Sequence, residues 1–86
     1  MKLEITIPDY DKSHGLKLNW EDGFTISSYK TDTEIIIKAN REGLLSLANH
    51  LLNLSQHKVP IGAHIHLDDI NSLEDGSVDV IFEKMI

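Results

Sequence analysis

The sequence predicts an α+β fold, an antiparallel sheet of about six strands in the order ββββαββ with one helix packed on one face. Three observations carry that expectation. Apolar and polar residues alternate in several short stretches, the period of a half-buried strand. One stretch, residues 40–56, changes to a helical period. Turn formers such as Gly23, Asp32, Pro60, Gly62 and Gly76 separate these stretches. With 86 residues, residues 1–86 form one small domain that buries roughly 60 to 65 per cent of its unfolded surface. That leaves little volume for a deep pocket, so a binding surface is expected rather than an active-site cavity.

Taken in order, the first strand is Lys2 to Ile7, with Leu3, Ile5 and Ile7 on its core face. Leu16, Leu18 and Trp20 define the second, which the Glu21-Asp22-Gly23 turn joins as a hairpin to the third, Phe24 to Lys30. A turn at Thr31 and Asp32 leads to the isoleucine-rich fourth strand, Glu34 to Ala39, with Ile35, Ile37 and Ala39 facing one way. Asn40 is a suitable N-cap, and Glu42 places a negative charge in the first turn of the helix. Leu44, Leu45, Leu47, Ala48, Leu51, Leu52 and Leu54 cover about half of its circumference, a face wide enough to lie across a sheet. Leu51→Ala is therefore expected to be among the most damaging substitutions. His50 and His57 fall on the polar face and read as solvated. Beyond the helix, Ala63, Ile65 and Leu67 mark the core side of the fifth strand, and Val78, Val80 and Phe82 that of the sixth.

The net charge is −6, and it is uneven. Residues 1–61 carry eight acids against seven bases, whereas residues 62–86 carry six acids against Lys84 alone. An acidic field disfavours nucleic acid and attracts a basic protein, although mild acidity also serves solubility alone. The absence of cysteine removes disulfides, thiolate metal sites and a cysteine nucleophile, and fits a reducing compartment. The N-terminal residues pass directly into the alternating pattern, with no apolar run suited to a signal peptide or a membrane span. A cytoplasmic location and no membrane partner are expected.

The densest chemistry is the stretch Ala63-His64-Ile65-His66-Leu67-Asp68-Asp69. Strand parity sends Ala63, Ile65 and Leu67 inward and displays His64, His66 and Asp68 on the open face. If the last two strands pair, Asp79 and Glu83 join that face. Two histidines and a carboxylate at alternate positions offer nitrogen and oxygen ligands to zinc, so a metal-binding protein or metal-dependent enzyme is one reading; an exposed strand face or partner contact is the other. The match to the metallo-β-lactamase pattern HxHxDH fails at Asp69, and the chain is far too short for that fold. No GxSxG elbow and no glycine-rich phosphate loop is present. The expectation is no enzyme and no cofactor.

Asn40 to Ala48 at the helix start, His64 to Asp68, Leu73-Glu74-Asp75-Gly76-Ser77 and Ile81-Phe82-Glu83-Lys84 together resemble the small immunity proteins of bacterial polymorphic toxin systems, in the group numbered thirty-two. The resemblance covers about residues 39–84, and residues 1–38 share only the strand pattern. It implies a single immunity-protein-like domain in the cytoplasm that binds and neutralises a cognate toxin by occluding it. Toxin domains that attack nucleic acid are expected to be basic, which agrees with the acidic segment. His64, His66, Asp68, Asp69, Glu74, Asp75 and Asp79 are then the candidate toxin-binding residues, with Tyr29 as an aromatic anchor. The shared motif also admits a structural role, in which Asp68 caps a turn and His66 pairs with Asp79. A third reading is a structural module that forms a homodimer through unpaired sheet edges.

Overall fold

The computed structural model describes all of residues 1–86. It contains β1 (Ile26–Lys30), β2 (Ile35–Ala39), α1 (Arg41–Leu54), β3 (His64–Leu67) and β4 (Val80–Glu83). β1 and β2 pair antiparallel, as do β3 and β4, giving two separate two-stranded sheets. The class is α+β with one helix, but the single six-stranded sheet expected from the sequence does not form. The expected first and second strands, residues 2–7 and 16–20, are not strands. Residues 1–25 contain only the isolated bridge between Asp11 and Gly15. β1 accordingly pairs with β2 and not with residues 16–20.

The physical reason lies in what satisfies the N-terminal backbone. Tyr10 N donates to Gln56 Oε1 at 2.9 Å, and Gln56 Nε2 donates to Pro8 O at 3.1 Å. Glu21 N donates to Ser46 Oγ at 2.9 Å, and His50 Nε2 donates to Asn19 O at 3.2 Å. Asn40 caps α1 through Gly43 N at 2.8 Å while accepting from Thr25 N at 3.0 Å and donating to Gly23 O at 2.9 Å. Backbone groups that a strand partner would occupy are thus taken by side chains of α1 and its two flanks. The parity of the second stretch survives even so, since Leu16, Leu18 and Trp20 all pack against the core.

This docking rotates α1 away from its leucine pattern, so that only Leu54 and Leu47 of the leucine face reach the core. Gly43, Ser46, Asn49, His50, Asn53 and Leu54 are buried, whereas Leu44, Leu51 and Leu52 are 58%, 42% and 46% exposed. The buried polar groups are mostly satisfied: Ser46 Oγ donates to Glu42 O, and Asn53 Nδ2 donates to Asn49 O and Oδ1. His50 is buried rather than solvated, at 1% exposure, whereas His57 is exposed. The core gathers Ile26, Leu54, Val59, Ile65, Leu67 and Leu73, with Trp20, Phe24, Leu47, Val80 and Phe82 packed around it.

Residues 74–78 of the β3–β4 connection hydrogen-bond to β1 and so tie the two hairpins together. Glu74 N donates to Ile26 O at 2.9 Å and Val78 N to Ser28 O at 3.1 Å. Ser28 N donates to Ser77 Oγ, and Ser28 Oγ returns to Val78 O. The chain then enters β4. No helix is long and apolar enough to cross a membrane.

Candidate functional site

β3 and β4 build the displayed face. Their register sets His64 opposite Glu83, His66 opposite Ile81 and Leu67 opposite Val80. Alternation then buries Ile65 and Leu67 in the core and exposes His64, His66, Ile81 and Glu83. The parity read from the sequence holds over the paired residues, whereas Val78, expected on the core side, precedes β4 and is 39% exposed.

The cluster residues do not converge on one point. His66 Nε2 meets Asp79 Oδ2 at 2.9 Å, with both side chains largely exposed. His64 Nδ1 turns instead to Gly62 O at 3.4 Å. Asp68 Oδ1 accepts from Ile70 N and Asn71 N, both at 2.9 Å, which makes it the cap of a tight turn. Asn71 reinforces the turn by accepting from Asp68 N at 3.1 Å and donating to His66 O at 3.0 Å. No three His, Asp or Glu side chains are grouped to hold a metal ion. The pairing of His66 with Asp79 and the capping by Asp68, both anticipated from the sequence, are present.

Asp69, Glu74 and Asp75 are exposed on the single connection between β3 and β4. Asp75 sits in a turn closed by Ser77 N donating to Glu74 O at 3.1 Å, with Gly76 at φ +82°. Lys84, the sole base of residues 62–86, is drawn inward: its Nζ donates to Gln56 O at 2.6 Å and Val59 O at 2.9 Å. The acidic groups of the face are therefore not offset by it.

Two residues of this region lay outside the sequence-based candidates. Ile81, opposite His66 in β4, is 57% exposed, and Ile70, in the turn that Asp68 caps, is 93% exposed. Ile81 was legible, because it alternates with the inward Val80 and Phe82. Ile70 carries no such signal. Tyr29 lies on the face of β1 turned away from Ile26, with Lys38 Nζ 5.4 Å from its ring centroid. Concave space is found elsewhere. One groove is lined by Asp9, Tyr10, Asp11, Lys12, His14, Lys17 and Lys58, and of the candidate residues only Glu74 borders any cleft. The β3–β4 face is a surface, suited to a macromolecule more than to a small substrate.

Residues 34–85 match the model of a family described as Immunity protein 32. No curated protein and no solved structure matches the chain.

Proposed function

We propose, since this chain belongs to the Immunity protein 32 family, that it binds a cognate toxin domain in the cytoplasm and neutralises it by covering its working surface, with no catalysis of its own. The observation that carries the reading is the β3–β4 face. Ile81 is exposed on β4 opposite His66; Asp69, Glu74, Asp75 and Asp79 are exposed on the connection between β3 and β4; and Lys84 turns its amine to Gln56 O and Val59 O. Exposed apolar and charged side chains on one hairpin suit a protein interface. An acidic surface steers a partner of opposite charge, so the toxin is read as basic, and neither nucleic acid nor a membrane as a partner.

Within this reading His66, Asp68 and Asp79 hold the shape of the face while Asp69, Glu74 and Asp75 supply its charge. The separate engagement of His64 with Gly62 O, His66 with Asp79 and Asp68 with its own turn favours the binding reading over the metal-dependent one.

The test is to capture the toxin with tagged protein from the source cells and measure its association by surface plasmon resonance. Reversing charge at Asp69, Glu74 and Asp75 together is expected to slow association by roughly tenfold or more at low salt and to flatten its salt dependence. Unchanged rates in that triple variant would remove this face from the interface.

A further inference from the structure

We infer that the groove between the turn at residues 9–17 and the chain leaving α1 at Lys58 binds a small polyvalent anion, a phosphate ester of about nucleotide size. The site shares no residue with the β3–β4 face and is independent of toxin binding.

Local hydrogen bonding builds its two walls. His14 N and Gly15 N both donate to Asp11 O, at 3.0 and 2.9 Å, and Gly15 takes φ +71°, so the chain reverses and carries Lys12, His14 and Lys17 around one tight turn. The other wall is the segment after α1, where Lys58 follows Gln56 by two residues. Gln56 Oε1 accepts from Tyr10 N at 2.9 Å and its Nε2 donates to Pro8 O at 3.1 Å, which ties the first wall to the second. Between them lies a concavity of about 630 Å³, whereas the other two clefts hold about 180 and 60 Å³. Only the first falls within the roughly 300–1,000 Å³ typical of small-molecule sites.

The lining sets the ligand's chemistry. Lys12, Lys17 and Lys58 are three of the chain's eight lysines and arginines, and none of the three is ion-paired. Both oxygens of Asp11 are already engaged: Oδ1 accepts from Ser13 N and Ser13 Oγ, and Oδ2 meets His14 Nδ1 at 3.0 Å. Asp9 is then the one acid of the lining without a partner. A monovalent anion would satisfy a single amine, and three amines around one concavity suit several negative charges on one ligand. Ammonium groups hold phosphate oxygens as point charges, without the planar fork that a lone carboxylate favours. Tyr10 is the only aromatic or aliphatic side chain of the lining, so the body of the ligand is polar, and Asp9 would accept from a hydroxyl or amino group on it. The acidic remainder of the chain repels the same ligand and confines it to the groove. Six of the seven lining residues precede residues 34–85, so the site belongs to the segment that the family match does not cover.

The experiment is a titration of the full chain with ATP at constant ionic strength, followed by amide NMR. Wild type is expected to show saturable shifts centred on residues 9–17 and 58, with a dissociation constant of about 10 μM to 1 mM. Lys17→Gln and Lys58→Gln should each weaken binding by roughly three- to tenfold. Lys30→Gln, which removes the same charge outside the groove, should leave binding unchanged, and the free spectra of all three variants report that the fold is retained. Inorganic pyrophosphate is the second probe. Binding as tight as that of ATP assigns recognition to the phosphate groups alone; weaker binding assigns part of it to the rest of the molecule, and Asp9→Asn should then remove the advantage of ATP. Shifts that fail to saturate, or that spread equally to Lys2, Lys30 and Lys38, reveal diffuse attraction to exposed amines and overturn the proposal. So does a loss in Lys30→Gln equal to that in the groove variants.

Discussion

Gly43 occupies the point where α1 meets β1 and β2. A Cβ there would lie 2.7 Å from Thr25 O, 2.9 Å from Ile26 Cγ1 and 3.0 Å from Ala39 Cβ. Alanine is the better helix former by about 1 kcal/mol, yet the backbone oxygen cannot yield as a flexible side chain would. Gly43→Ala is therefore expected to lower stability by about 1–3 kcal/mol, measured by urea unfolding. His50 is the second informative residue. Its Nε2 donates to Asn19 O, its ring meets Trp20 edge-on at 4.3 Å between centroids, and its Nδ1 is buried without a partner. Burial holds its pKa below the ordinary 6.5, against the opposing effect of the Asn19 carbonyl. As pH falls below 6.5 the unfolded chain takes up this proton before the folded one does, so stability is lost with acidification until the folded value is passed. Asp11, whose carboxylate is held below 3.8 first of all by the Ser13 backbone N–H, titrates in a separate, more acidic window. Thermal melts followed by Trp20 fluorescence should show a lower midpoint at mildly acidic than at neutral pH. His50→Gln, which can still donate to Asn19 O, should reduce that difference, and an equal slope in both proteins would refute the assignment.

At the scale of the element, α1 combines a legible existence with an illegible orientation. The cap at Asn40, the Glu42 charge and the helical period all specify a helix, and one forms over Arg41–Leu54. Which side faces inward depends on the N-terminal segment, whose backbone groups recruit Ser46, His50 and Gln56. Leu51 is exposed in consequence and is not the core residue its pattern implied. In dilute solution, Leu51→Ala should cost about 1 kcal/mol or less, since only part of its side chain leaves water. Ile65→Ala, at 3% exposure, should cost about 2–5 kcal/mol. Denaturant unfolding of both variants at low concentration checks the order, and a Leu51→Ala loss as large as that of Ile65→Ala would contradict the outward orientation. The β3–β4 hairpin behaves differently. Its period-two pattern placed His64 and His66 outside and Ile65 and Leu67 inside, and the structure agrees, because both strands find each other across one loop.

For the molecule as a whole, charge and architecture come from different scales. The excess of acids in residues 62–86 was countable in advance, and so was the absence of thiol chemistry. That Lys84 turns inward, so that the acidic face is left uncountered by its own base, required the fold to bring it to Gln56 and Val59. The candidate residues His66, Asp68 and Asp79 were legible as a displayed group, and their division into a cross-strand pair and a turn cap follows from register. By itself the sequence determined the α+β class, the helix and its cap, the turns, and the side to which each residue of β3 and β4 points, because these depend on local period and local hydrogen bonding. Only the tertiary structure decided the number of strands and the buried face of α1. An extended, alternating segment becomes a strand when a neighbouring backbone pairs with it, and here side chains of the helix and its flanks satisfy residues 8–25 instead, turning Ser46, Asn49, His50 and Asn53 of α1 inward and Leu44, Leu51 and Leu52 to the surface.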